Sequence, residues 1–336
     1  MTVFRRLAPV LLCALATLAY IGISLNTPYA GFNREAFVDL PKGTSARQMA
    51  AVLQSSGAIR YSWTFLIARA LRHGATLQAG EYRFTQPASA LEVFDRIVRG
   101  DVFYYELIVP EGKNMFDIAA AVEGLGLFTA ERFLEAARNP APIRDLDPQA
   151  PTLEGYLFPN TYRLSRAATP DGLCLMMTGK FREVWRGLRT DASVHRTITL
   201  ASLVEKEGKL PGERPVIASV FARRLAIGMK LDCDPTTIYA ALLAGTYRGA
   251  IHRSDLTSSG PYNTYQHAGL PPGPIANPGV ASIAAVLHPA DADYLYFVAR
   301  ADGSGGHNFS ANLVAQEANI VKYRRATARR ASTQKN

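Results

Sequence analysis

Phe37-Val38-Asp39-Leu40-Pro41-Lys42-Gly43-Thr44-Ser45, continued by Ala46-Arg47-Gln48-Met49-Ala50-Ala51-Val52-Leu53-Gln54-Ser55-Ser56-Gly57, changes its pattern midway. Phe37 to Leu40 reads as a strand, Pro41-Lys42-Gly43 as a turn, and Ser45 to Ser56 as a helix closed by Gly57. The unit recurs 69 residues later: Leu40-Pro41-x-Gly43 matches Val109-Pro110-x-Gly112, and Met49-Ala50-Ala51 matches Ile118-Ala119-Ala120. Leu53 likewise matches Val122, and Gly57 matches Gly126. Two copies are a duplication, whereas a solenoid needs at least three. Between them lie a predicted helix from Ser62 to Arg72, a strand around Gly80 to Phe84, and a helix from Ser89 to Arg99 ended by Gly100. The predicted fold class is α+β, with residues 36-104 as a small module.

N-terminal to this module, Leu7 to Leu25 holds 19 residues without a charge. That is close to the roughly 20 that a helix rising about 1.5 Å per residue needs to cross a membrane. Arg5 and Arg6 precede it, which predicts a cytoplasmic tail over 1-6, a transmembrane anchor over 7-25, and everything beyond Asn26 outside the cytoplasm. A cleaved signal peptide is the alternative, but Pro28-Tyr29-Ala30 fits a cleavage site poorly. Leu12 before Cys13 speaks against a lipoprotein.

The 336 residues, 48% hydrophobic, suffice for two globular domains. The formal charge of +9 draws on Arg324, Arg325, Arg329, Arg330 and Lys335, so 324-336 is expected to be a basic, disordered tail. The predicted topology puts the basic surface outside the cytoplasm and argues against a nucleic-acid partner. Three cysteines do not make a disulfide framework, although a single Cys174–Cys233 bridge stays open. Cys174, within Leu173-Cys174-Leu175-Met176-Met177, reads as core on one helical face. The six histidines have no metal-ligand spacing, so neither a metal nor a cofactor is expected.

The second half opens with the aromatic run Leu153-Glu154-Gly155-Tyr156-Leu157-Phe158-Pro159-Asn160-Thr161-Tyr162-Arg163, read as core, with sugar stacking as the alternative. Thr197 to Glu207 reads as a helix. After a loop, a second helix begins near Glu213-Arg214-Pro215, with Val216, Ile217, Val220, Phe221 and Leu225 as its buried stripe. Ala201-Ser202-Leu203-Val204-Glu205-Lys206-Glu207-Gly208 thus sets two carboxyl groups at a helix C-terminus, where the dipole disfavours negative charge. Such a place helps keep a carboxyl protonated, as a general acid requires. Glu205 falls over Ala201 and Ser202, a small-residue face, and Glu207 over Leu203 and Val204. From these residues alone a solvated helix end is the commoner reading and a catalytic site the alternative.

That string, together with Leu153-Glu154-Gly155-Tyr156-Leu157-Phe158-Pro159, Arg214-Pro215-Val216-Ile217-Ala218-Ser219-Val220-Phe221 and Asp234-Pro235-Thr236-Thr237-Ile238-Tyr239, resembles the endolytic murein transglycosylase family, also called YceG-like. Pro261-Tyr262-Asn263-Thr264-Tyr265, Gly269-Leu270-Pro271-Pro272-Gly273, Asn277-Pro278-Gly279, His288-Pro289-Ala290 and Gly305-Gly306-His307 continue the match in order. The resemblance implies an anchor, a LysM-like subdomain over 36-104 that docks on N-acetylglucosamine chains, and a larger mixed α/β catalytic domain over 105-323. It puts the catalytic glutamate at Glu205. The Pro/Gly-rich stretch from Gly260 to Gly279 supplies turns that can present Asn263, Thr264, Tyr265 and Gln266 to a sugar groove, with turn chemistry as their other role. Glu154 and Tyr156 complete the substrate-binding candidates. Cys233, where the family more often has a small hydroxyl residue, and Gly260 beside Pro261 depart from the pattern.

The implied reaction is lytic. Glu205 protonates the oxygen between N-acetylmuramic acid and N-acetylglucosamine, then takes the proton of the muramic C6 hydroxyl as a 1,6-anhydro ring closes. The nucleophile belongs to the substrate, so a second protein base is not required. Glu154, Asp232 and Asp234 are the candidate supporting acids. The expected partners are peptidoglycan strands, the membrane and peptidoglycan synthases. The expected location is the bacterial inner membrane, with the catalytic domain in the periplasm and strand termination as the outcome. Two alternatives stand: a water-using muramidase with two carboxylates, and a non-catalytic, membrane-tethered peptidoglycan-binding protein.

Overall fold

A computed structural model describes residues 2–333, and the chain falls into two compact units, one up to Tyr105 and the other from Glu106 onward. The first unit begins with α1 (Thr2–Asn26), whose stretch Pro9–Asn26 is long and apolar enough to cross a membrane. Then come β1 (Ala36–Leu40), α2 (Ala46–Ser55), α3 (Ser62–Leu71), β2 (Gly80–Phe84) and α4 (Ala90–Arg99). Strands β1 and β2 pair antiparallel with Val38 opposite Tyr82. Alternation along β1 turns Ala36, Val38 and Leu40 inward and Asp39 outward. Ser45 and Ser89 start α2 and α4 with capping boxes completed by Gln48 and Glu92, which satisfy backbone groups that a helix start leaves unpaired. Leu40, Leu53, Phe65, Tyr82 and Phe94 form the centre of this unit's core.

The second unit repeats the pattern. β3 (Tyr105–Val109), α5 (Met115–Gly124), α6 (Ala130–Arg138) and β4 (Asn160–Leu164) again run strand, helix, helix, strand, and β3 pairs with β4. Strand β3 and helix α5 lie 69 residues after β1 and α2 at both of their ends, the same offset as in the sequence. The second copy differs between α6 and β4, where a short 3-10 turn (Ala141–Ile143) and the aromatic run are inserted. Tyr156 and Leu157 are fully buried and Phe158 nearly so, which makes that run core.

There follow α7 (Pro170–Gly187), α8 (Val194–Glu207), α9 (Arg214–Ala226), α10 (Asp234–Leu243), α11 (Arg253–Leu256), α12 (Val280–Leu287), β5 (Tyr296–Ala299), β6 (His307–Ser310) and α13 (Leu313–Thr333). Every residue of α8 from Thr197 to Val204 is buried, and the helix packs on α9, α10 and α12. β5 and β6 form an antiparallel pair with Phe297 opposite Phe309. Among the described residues the sheets are three separate two-stranded pairs. The mixed α/β domain expected over 105-323 is therefore better described as α+β, because helices packed around α8, not a layered sheet, form its centre.

Cys174 and Cys233 are buried and free, so the open bridge is not formed. The tail expected to be disordered over 324-336 instead continues α13 to Thr333, while Lys335 lies outside the described residues, as does Met1 of the expected cytoplasmic tail.

Candidate active site

Glu205 sits one turn from the end of α8, and the chain then reverses through a short 3-10 turn (Pro211–Glu213) into α9. This reversal brings Arg214, the first residue of α9, back over the end of α8. Its Nε donates to the Gly208 carbonyl at 3.2 Å and its Nη2 donates to Glu205 Oε1 at 3.0 Å. One guanidinium thus answers both an orphan carbonyl of the helix end and the acid that the helix dipole disfavours there. The Glu205 side chain is 5% exposed and that of Arg214 12%.

The other carboxyl oxygen, Glu205 Oε2, accepts the backbone N–H of Gly279 at 3.0 Å, and Gly279 is the N-cap of α12. A charge-assisted bond at each oxygen makes Glu205 an acceptor at both ends in this arrangement. A Cβ at Gly279 would meet the carboxyl end of the Glu111 side chain, which would have to swing aside. Gly112, at φ +75°, brings the turn after β3 against the acid, with Glu205 Cγ 3.4 Å from where its Cβ would be. Lys206 Nζ donates to the Gly112 carbonyl at 3.3 Å.

Glu111 therefore belongs to the site. Its carboxylate, 49% exposed, stands 3.8 Å from Arg214 Nη1, so the one arginine lies between a buried acid and a half-exposed one. Asn277 fastens the assembly. Its Nδ2 donates to the Lys113 carbonyl and to Glu154 Oε1, and its Oδ1 accepts from the Leu157 N–H, each at 2.9 Å. A cleft of about 390 Å³ is lined by Lys113, Phe116, Tyr239, Tyr247 and Ile275 among others, and it reaches the end of α8 at Lys206, the residue after Glu205.

The substrate-binding residues expected from the sequence divide. Asn263 is fully buried, and its Nδ2 donates to the carbonyls of Asp255, Leu256 and Ser258. Thr264 is 2% exposed, and its Oγ1 accepts from the Cys233 N–H and bonds Thr236 Oγ1. Both hold loops, the turn role that was their alternative. Glu154, 1% exposed, accepts the Met115 N–H at 2.9 Å in addition to Asn277, and burial pushes its carboxyl up to about 8. The Tyr156 hydroxyl donates to Asp147, which also bonds His195 Nδ1. In this structure these four are sealed from solvent and bonded to their own chain, as framework rather than as surface open to a glycan. Tyr265 and Gln266 do reach the surface: the Tyr265 hydroxyl donates to Asp234 Oδ1 at 2.6 Å, and Gln266 Nε2 donates to the Leu256 carbonyl. Of the 260–279 stretch, Ile275 lines the cleft.

None of the expected supporting acids bonds Glu205: Glu154 serves Asn277, Asp234 accepts from Tyr265, and Asp232 pairs with Arg224 at 3.7 Å. Glu207, two residues on, accepts the Cys233 thiol at 3.3 Å, and burial raises its carboxyl above the ordinary range. Glu111 and Gly279 had no role in the sequence reading, though both sit in quoted motifs. The signal for Glu111 was the turn itself, because the first copy has Lys42 where the second has Glu111.

The model of the YceG-like family matches residues 38–322. The chain is 32% identical over 287 residues to the endolytic murein transglycosylase of Bacillus subtilis, covering 79% of this chain and 79% of that protein. It is 28% identical over 326 residues to the endolytic murein transglycosylase of Streptococcus pneumoniae, covering 87% of this chain but 59% of that longer protein. A crystal structure of a YceG-like protein from Listeria monocytogenes is similar with a TM-score of 0.53 at 28% identity, over 85% of this chain and 99% of that one.

Proposed function

The chain belongs to the YceG-like family, and we propose that it is a lytic murein transglycosylase with Glu205 as catalytic acid and base. The observation that carries this reading is a nearly buried glutamate held between Arg214 and the Gly279 N–H, with its neighbour Lys206 lining an open cleft. A proton-transferring group needs such fixed orientation. Protonated Glu205 gives its proton to the glycosidic oxygen, the muramic C6 hydroxyl attacks C1, and the hydroxyl proton returns to Glu205. The bond to the departing sugar breaks, the 1,6-anhydro ring forms, and no water is consumed. Donation requires one carboxyl oxygen to be free. Arg214 already leans toward Glu111, so turning its guanidinium fully to that partner releases Oε1.

The first unit, with its strand-helix-helix-strand order, is the LysM-like, glycan-docking part. α1 spans the bacterial inner membrane with Arg5 and Arg6 on the cytoplasmic side, which puts the catalytic unit in the periplasm beside strands being made, where peptidoglycan synthases are its partners and termination of strand elongation its outcome.

Glu111 favours one rival, a muramidase in which it serves as a second carboxylate that activates water. The product separates them. Mass spectrometry of digested sacculi should find 1,6-anhydro-N-acetylmuramic ends, lighter by a water than hydrolysis leaves, and Glu205→Gln should lower turnover by at least about 10²–10⁴-fold. Reducing muramic ends would support the water-using rival, and a fully active Glu205→Gln enzyme would remove the site assignment.

A further inference from the structure

Five side chains gather where α1 meets the first unit. The rings of Tyr20 and Trp63 lie 6.1 Å apart, Tyr61 stacks on Trp63 at 5.8 Å, and the Arg60 guanidinium stands 5.7 Å from the rings of both Tyr29 and Tyr61. Tyr20 is 54% exposed and Arg60 is exposed as well. Neither the glycosidic chemistry nor the core of the unit accounts for this cluster.

α1 does not lead into a free linker. Leu25 is 6% exposed within the core of the first unit, and Ile21 packs against that core. Beyond the helix, Tyr29 and Ala88 exchange backbone hydrogen bonds at 3.0 and 3.2 Å, and the Gly31 N–H donates to the Gly57 carbonyl at 2.9 Å. The height of this unit along the α1 axis is therefore fixed by the fold.

The uncharged stretch from Leu7 to Leu25 is about 28 Å long at 1.5 Å per residue, against a hydrocarbon core of about 30 Å. Ile21 and Leu25 are taken into the unit's own core, so the apolar layer ends near Tyr20, and the bilayer meets the shorter stretch that remains by local thinning. Trp63 rests on Tyr20 and shares that level. Indole and phenol rings favour this zone, where the ring meets acyl chains and the N–H or O–H meets headgroups. An arginine at the same height can extend its guanidinium to lipid phosphates.

We propose that Tyr20, Arg60, Tyr61 and Trp63 form a membrane seat that holds the first unit against the outer face of the bilayer it is anchored in, with the rings in the headgroup zone and Arg60 on lipid phosphate. This rests on the reading of α1 as a spanning helix. The first unit then meets glycan at the membrane surface rather than at the end of a tether.

The test uses the full chain reconstituted in vesicles of phosphatidylethanolamine and phosphatidylglycerol. The chain has two tryptophans, so Trp185→Phe, a change in the second unit, leaves Trp63 as the only reporter. Trp63 should lose most of its emission to lipids brominated near the carbonyl end of the chain, lose less to lipids brominated near the chain terminus, and resist iodide added to the water. Cys13, exposed on α1 while Cys174 and Cys233 are buried, tests the anchor separately. A spanning helix keeps Cys13 from a water-soluble maleimide until detergent is added. If Cys13 is protected but iodide quenches Trp63 freely and bromolipids do not, the seat is overturned and the anchor stands. If Cys13 reacts in intact vesicles, the anchor fails and the seat fails with it.

Discussion

Glu205 and Glu207 stand two residues apart on α8, yet each is surrounded by a different chemistry. Glu205 receives a guanidinium and a backbone N–H, whereas Glu207 is closed in against a thiol. Replacing Glu207 by Gln should accordingly cost much less turnover than replacing Glu205. Glu154 permits a sharper expectation, because burial holds its carboxyl at about 8 against an ordinary 4.5. Between those values the folded state keeps a proton that the unfolded chain has released. The contribution of Glu154 to stability is therefore fully present below about pH 4.5 and is lost as pH rises toward 8, by up to about 1.4 kcal/mol per pH unit. Glu154→Gln cannot titrate, but it sets an amide N–H against Asn277 Nδ2, which costs about 1–3 kcal/mol. Urea unfolding should find the variant less stable at pH 5, with the gap to the parent narrowing by pH 8. A constant gap would show that Glu154 does not carry this proton.

At the scale of elements, the site is a meeting of three chain reversals: the turn after β3, the return from α8 to α9, and the start of α12. Their closeness sets the carboxyl end of the Glu111 side chain where a Cβ on Gly279 would stand. Gly279→Ala should displace Glu111 or withdraw the N–H from Glu205. Because the colliding atoms end a half-exposed side chain, the loss should be modest, about 5-fold in kcat/KM for each roughly 1 kcal/mol of transition-state stabilisation given up. Adding Glu111→Ala removes the colliding carboxylate and should restore part of the loss, a coupling that steady-state kinetics on a soluble glycan can measure. Were Gly279→Ala as active as the parent, the clamp on Glu205 Oε2 would be dispensable. The same elements explain what could be read in advance. The turn glycines and helix limits follow from local chemistry and were legible, but the partners of Glu205 come from segments 74 and 9 residues away whose meeting no local pattern records.

For the whole molecule, the expected division of labour is docking in the first unit and chemistry in the second. Each has a hydrophobic core of its own, as independent folding units do. Deleting residues 36-104 should weaken binding to purified glycan strands, measured by co-sedimentation, while whatever product remains keeps its 1,6-anhydro ends. Undiminished binding would make the first unit a spacer, and altered ends would mean that it takes part in the reaction.

Sequence alone determined the features that depend on period and on local backbone chemistry. These are the apolar stretch before Leu25, the strand-turn-helix unit and its copy 69 residues on, the helices of the first module, and the two acids at the end of α8. Tertiary structure decided which side chains face one another. Asn263, Thr264, Glu154 and Tyr156 were sealed into the framework because their polar atoms answer buried groups from distant segments. Glu111 joined Glu205 because a copied turn was folded against α12. Periodicity reports the face a residue occupies within its own element. What stands opposite that face is settled by packing between segments, which depends on the whole chain at once.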